Sequence, residues 1–180
     1  MRNRIKKQEL DLRQREFRAN VLYDLGRTIA DAKTQMQIAA PAVTSIKKIF
    51  SLESAVLSLD EDGKLNRNPL YYANEYPNEK DFVVASWSLA NKTKAGWGTQ
   101  TLSSSRCLCL PLFGRSSVVG VIVLYPENRN LLNVEQENLI DTIASNLAIA
   151  LEREMFESKA QNAKLLAESE KLHHQLLESS

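Results

Sequence analysis

From Val134 to Ser180 the chain holds neither proline nor glycine, so nothing in that stretch stops a helix once it has started. Such a helix far exceeds the usual three turns, and a long exposed helix is marginal in water without a packing partner. Two sets of side chains divide it. Reading back from Leu176, steps of three and four residues pass through Leu172, Ser169, Leu165, Asn162, Ser158, Met155, Leu151, Ala148 and Ala144. That is a heptad pattern with polar interruptions at Ser158, Asn162 and Ser169. Ile140, Ile143, Leu147 and Ala150 fall on an adjacent face suited to covering a sheet. The proximal half is therefore expected to pack on its own domain. The distal half is expected to zip to a second chain, through a seam of Leu151, Met155, Ser158, Asn162, Leu165, Ser169, Leu172 and Leu176.

The other end of the chain behaves similarly. From Arg2 to about Asp31 there is no proline and one glycine, and Leu10, Phe17, Val21, Leu22, Leu25 and Ile29 form a single apolar stripe. Arg2, Arg4, Lys6, Lys7, Arg13, Arg15 and Arg18 make its first half basic, too charged for a core helix and better suited to an exposed or coiled-coil lead-in. A second helix is predicted from Met36 to Phe50. Between the long ends the period changes. Ser54 to Asp60 reads as a strand, Glu61-Asp62-Gly63 as its turn, and Leu65 to Tyr72 as a returning edge strand interrupted near Pro69. Asn78 to Asn91 reads as a helix, and Ala95 to Ser105 as a Gly/Ser/Thr loop. Arg106 to Phe113 and Val118 to Tyr125 form the clearest hairpin, and the nearly all-apolar second strand needs cover on both faces. After Pro126 and a short polar loop, Asn133 is a good N-cap for the last helix, with Glu135 and Gln136 in its first turn.

The elements add up to an α+β module: an antiparallel sheet with helices gathered on one face and continuous helices leaving both ends. Three regions are expected: residues 1–32 as an N-terminal signalling helix, 33–152 as a sensory domain, and 153–180 as a coiled-coil linker. With 43% apolar and 25% charged residues a buried core is attainable, and a net charge of +1 gives no general reason to expect nucleic acid. No signal peptide and no apolar run of about 20 residues occur, so a reducing cytoplasm with free thiols is expected.

Few residues suggest chemistry. His173 and His174 point about 100° apart on a helix and cannot chelate one metal together. Their sequel, Gln175-Leu176-Leu177-Glu178, is not that of a phosphoacceptor histidine. Cys107 is followed by leucine, where a tetrapyrrole-binding cysteine carries histidine, and no histidine within the domain offers itself to haem. Cys107 and Cys109 share one side of a strand but rarely reach disulfide geometry at that spacing. Ala95-Gly96-Trp97-Gly98-Thr99 lacks the Gly-Lys-Ser/Thr ending of a nucleotide loop. Two readings stay open for it: a tight turn with Trp97 as a packed lid, or one wall of a pocket for a nucleotide or other small metabolite, built from Trp87, Trp97, Thr99, Thr101, Ser103 and Arg106, which would make the domain a small-molecule-binding module. No catalytic residue, metal or cofactor is expected.

Val83 through Glu152 resembles the GAF domain of KdpD-type, potassium-responsive, membrane-bound sensor histidine kinases. The residues that carry the resemblance are Ala85-x-Trp87, the run Ala95-Gly96-Trp97-Gly98-Thr99-Gln100-Thr101-Leu102, Leu110-Pro111-Leu112, Gly120-Val121, and Glu135-Gln136 leading to Ala148-Ile149-Ala150-Leu151-Glu152-Arg153. Gln100 stands where that family often has aspartate, and Ser103 where proline is common. The resemblance implies a GAF-like fold and a cytoplasmic signal-relay role in a potassium or osmotic response. The seam predicts a parallel homodimer through both end helices, and the resemblance further implies a kinase core downstream in the same protein and a response regulator reached only through that kinase. The membrane enters only through a preceding segment, since the basic first helix resembles the one that follows the last span. Phosphoacceptor and ATP-binding boxes do not occur in these residues, so this chain alone is not expected to autophosphorylate. A GAF-fold thiol reductase would need several loop cysteines, which two strand cysteines do not supply.

Overall fold

The computed structural model describes residues 1–127 and 131–179. Part of the polar loop expected after Pro126, and Ser180, lie outside the described residues. The elements are α1 (Arg2–Asp31), α2 (Gln35–Phe50), β1 (Glu53–Ser58), β2 (Tyr71–Tyr72), α3 (Glu79–Asn91), β3 (Ala95–Gly96), β4 (Leu108–Phe113), β5 (Val118–Tyr125) and α4 (Val134–Glu178). Helix α4 starts where its caps dictate. The Asn133 side chain accepts from the Gln136 N–H while the Gln136 side chain accepts from the Asn133 N–H, a reciprocal capping box. Helix α3 begins with the same device between Asn78 and Asp81. Helix α2 runs through Pro41, because Ile38, Ala39, Ala42, Val43 and Ile46 around it are all buried and their packing outweighs the lost hydrogen bond.

The five strands form one antiparallel sheet in the order β2-β1-β5-β4-β3. Strand alternation sorts two cores. Val56, Leu108, Leu110, Leu112, Ile122 and Leu124 face α2 and α4, whereas Leu57, Cys107, Cys109, Val121, Val123 and Tyr125 face α3. The helices α1, α2 and α4 gather on one face as expected. Helix α3 takes the other, because the second faces of β4 and β5 are themselves apolar and would otherwise be left in water.

Two local expectations change. The returning strand over Leu65 to Tyr72 breaks: Leu65 makes one bridge to Leu59, the chain leaves the sheet, and only Tyr71 and Tyr72 pair again, with Val56 and Ala55. Pro69 cannot donate to a ladder, and the Asn66 side chain closes a turn by accepting from the Asn68 N–H. The expected loop at Ala95 instead opens with an edge strand, since Ala95 and Gly96 pair with Cys109 and Leu108. Gly96 is required there: its φ is +103° and a Cβ would lie 2.1 Å from the Cys107 carbonyl oxygen.

The ends are uneven. Leu25 and Ile29 of α1 join the main core, so the C-terminal part of α1 belongs to the folded domain and not to a free lead-in. Ile5, Leu10, Leu12 and Phe17 remain exposed. On α4, burial stops at Glu152, and every described residue from 156 onward is exposed. That leaves about 35 Å of helix projecting from the domain.

Candidate functional site

The six residues expected to build a ligand pocket do not converge. Arg106 lies on the α3 face, where its Nη2 and Nε donate to Asp81 at 2.7 and 3.3 Å, its Nη1 donates to Glu75 at 3.2 Å, and its guanidinium stacks 4.9 Å from the centre of the Tyr125 ring. Trp87 packs on the same face, against the core under α3. Trp97 and Thr99 are on the opposite face, lining a small opening of about 150 Å³ with Leu108, Leu110, Leu131 and Ile140. The Thr99 hydroxyl is taken up locally, 2.8 Å from the carbonyl oxygens of Gly96 and Thr101. Ser103 is exposed and Thr101 half-buried in the intervening loop. The segment from Trp97 to Arg106 passes around the edge of the sheet at β3. Residues close in sequence are thereby divided between two faces, and a pocket walled by both tryptophans does not form.

What stands at Arg106 is instead a polar cluster around one buried acid. Asp81 is 1% exposed and accepts from Arg106, from the Asn78 N–H at 2.9 Å and from the Tyr125 hydroxyl at 3.2 Å. Burial pushes its carboxyl up. The Arg106 guanidinium, the Asn78 N–H and the Tyr125 hydroxyl outweigh burial and hold it below the usual carboxylate range. Burial and the Asp81 charge push the Tyr125 hydroxyl well up, so it stays a donor. Cys107 and Cys109 lie beneath α3, both buried and free of a disulfide, with their Sγ atoms in hydrogen-bond contact at 3.8 Å. The hydrogen bond to Cys107 and burial both push the Cys109 thiol up, away from the nucleophilic thiolate. Among the described residues no group of three or more His, Cys, Asp or Glu is arranged to hold a metal ion.

Helix α4 carries a contact that periodicity did not single out. Glu152, 6% exposed on α4, accepts from the backbone N–H groups of Arg115, Ser116 and Ser117 at 2.8, 3.1 and 3.1 Å. These three amides belong to the β4–β5 turn, which the Gly114 N–H closes on the Ser117 carbonyl at 2.8 Å. Gly114 makes room for the carboxylate, since a Cβ there would lie 2.3 Å from Glu152 Oε2. The available signal was an acid set among Ala148, Leu151 and Met155 on the buried side of the helix. Beside it, Arg153 Nη2 donates to the Ile29 carbonyl at 3.2 Å, in the last turn of α1.

The expected seam divides as well. Leu151 is 1% exposed within its own chain's core, so it is not available to a second chain, and Met155 packs half-buried against the same core. Ser158, Asn162, Leu165, Ser169, Leu172 and Leu176 all lie on the projecting part of α4, where Leu165, Leu172 and Leu176 are 54%, 61% and 70% exposed. Among the described residues, no helix is long and apolar enough to cross a membrane.

Comparison with known proteins agrees with this architecture. The GAF domain family model matches residues 34–153. Sensor protein KdpD of Escherichia coli (strain K12) is 32% identical over 166 residues, which cover 92% of this chain and 18% of that protein. Sensor protein KdpD of Clostridium acetobutylicum is 24% identical over 185 residues, covering 98% of this chain and 20% of that protein. The chain thus spans about a fifth of the length of these curated relatives. The crystal structure of the native GAF domain of the E. coli potassium sensor histidine kinase KdpD aligns with a TM-score of 0.69 at 31% identity, covering 79% of this chain and 99% of that one. Sheet order, the Ala95–Leu102 edge loop and the family match meet in one assignment: the chain belongs to the GAF domain family, of the kind carried by KdpD sensor proteins.

Proposed function

We propose that this domain is a cytoplasmic relay in a two-component sensor histidine kinase of potassium or osmotic response, acting through paired helices. Two copies associate in parallel about a two-fold axis, α1 with α1 and α4 with α4, and the distal α4 pair leads into a kinase core of the same protein. A response regulator is reached only through that core, and the membrane only through a segment preceding α1. The observation that carries this reading is the construction of α4. One uninterrupted helix supplies Ile143, Leu147 and Leu151 to the domain core and then presents Leu165, Leu172 and Leu176 to solvent. A rigid helix that begins in a core and ends on an unpartnered apolar stripe passes any displacement of the core to whatever it pairs with. Polar residues at Ser158, Asn162 and Ser169 keep the seam marginal, which is what a two-state relay needs. Relatives named as KdpD sensor proteins support the kinase context.

Sedimentation equilibrium of the full chain tests the pairing. The expected result is a concentration-dependent dimer that becomes a monomer when the chain is cut after Met155, with the domain still folded. A strictly monomeric full chain at high concentration would sink the reading.

A further inference from the structure

Consecutive residues on a helix point about 100° apart, so two neighbours can grip two different elements. Glu152 and Arg153 do this at the level where α4 leaves the core. Glu152 takes the three turn amides between β4 and β5 described above, together with the Ser117 hydroxyl at 3.4 Å. Successive N–H groups turned toward one point make an anion nest, and here the anion is the chain's own carboxylate. Burial pushes that carboxyl up, but the amides of Ser116, Arg115 and Ser117 outweigh burial and hold it below its ordinary value, so it stays ionised.

Arg153 grips the other side. Its guanidinium lies 3.2 Å from the Ile29 carbonyl and 3.5 Å from that of Ala32, the last turn and the C-cap of α1. The last turn of α1 has no basic residue of its own, so Arg153 supplies the cation that complements the carbonyl end of that helix. Helix α1 packs on α2 and α4 and on neither β4 nor β5. Within one step of α4, therefore, the end of the incoming helix and the hairpin turn of the sheet are tied to the outgoing helix, whose described residues from Phe156 onward are all exposed.

We infer that Glu152–Arg153 is the coupling joint of the domain: it sets the pose of α4 from the positions of the β4–β5 turn and the end of α1. The inference rests on the relay reading for its purpose, though not for its geometry. Both residues act as positioning residues, through α4. A shift of α1 along its axis pulls on Arg153, and the same helix turn then moves Glu152 in its nest. Two unrelated staples would not do this.

The test is amide hydrogen exchange of the full chain carrying Glu152→Gln or Arg153→Gln. Each substitution is expected to speed exchange at its own partner segment by about tenfold. The decisive signal is the crossed one. Arg153→Gln should speed exchange at 115–117, which Arg153 does not touch, by at least about threefold, and Glu152→Gln should do the same at 29–32. Arg153→Lys, which keeps the cation, should restore most of the protection at 115–117. Effects confined to each residue's own partner would overturn the joint and leave two independent staples. Arg153 is half-buried, so its variants keep the test alive if Glu152→Gln folds poorly. Dimerisation is read separately by sedimentation. A monomer that shows crossed effects removes the relay alone; a dimer without them removes the joint alone.

Discussion

Asp81→Ala is expected to cost about 3 kcal/mol of folding stability, read from urea unfolding followed by circular dichroism. The figure combines about 1 kcal/mol for the bond lost from the Asn78 N–H, one half of the capping box at the start of α3, with about 2 kcal/mol for charge-assisted bonds lost to Arg106 and Tyr125. Arg106 is half exposed and recovers water when Asp81 is gone, which keeps the loss below that of a fully buried pair. The Tyr125 hydroxyl has no such recourse, being buried beneath α3. The pH dependence follows from the lowered Asp81 carboxyl. Its stabilisation is fully present above the unfolded value of about 3.9 and is lost as pH falls through the still lower folded value. Asp81→Asn should therefore flatten part of the acid limb of the stability profile. An alanine variant as stable as the parent at neutral pH would show that the cluster is ornamental to the fold.

The second large effect concerns the seam. Asn162→Leu should tighten the dimer, lowering its dissociation constant by at least about tenfold in sedimentation equilibrium. Asn162 is exposed on the projecting part of α4, so the substitution removes no contact within the domain. In a paired helix the same position is an interior one, and an amide there costs stability while fixing register. A domain of unchanged melting temperature and a tighter pair is the expected combination. If the domain serves the proposed relay, the output of the kinase carrying it should become less responsive, because a seam without polar interruptions holds one pose.

How much of this was legible in the residues depended on whether the information was local. All four helices could be read within about two residues, because breakers, a 3.6-residue period and, at Asn133, a cap are local signals. Strand β5 was plain from its unbroken apolar run. That run also demanded cover on both faces, and only the fold shows that α3 supplies the second. The candidate pocket was the weakest inference for the same reason. Trp87 and Trp97 are near in sequence, but the chain turns round the sheet edge at Gly96 and separates them. Leu151 fits the heptad equally well as core and as seam, and only burial decides between them. Glu152 stood out only as an acid on the buried side of α4; its partners are backbone amides more than thirty residues away, a pairing that no side-chain pattern records.

The proposed relay requires a parallel pair of α4 helices in register. It is tested most directly by cross-linking single cysteines along α4 in a background with Cys107 and Cys109 replaced by serine. In a parallel pair each seam position meets its own copy, so Asn162→Cys and Ser169→Cys should form disulfide-linked dimers rapidly under mild oxidation. Ala160→Cys and Lys164→Cys, on the far side of the helix, should stay monomeric. Equal cross-linking at all four positions, or none at Asn162 and Ser169, would contradict the seam and the relay built on it.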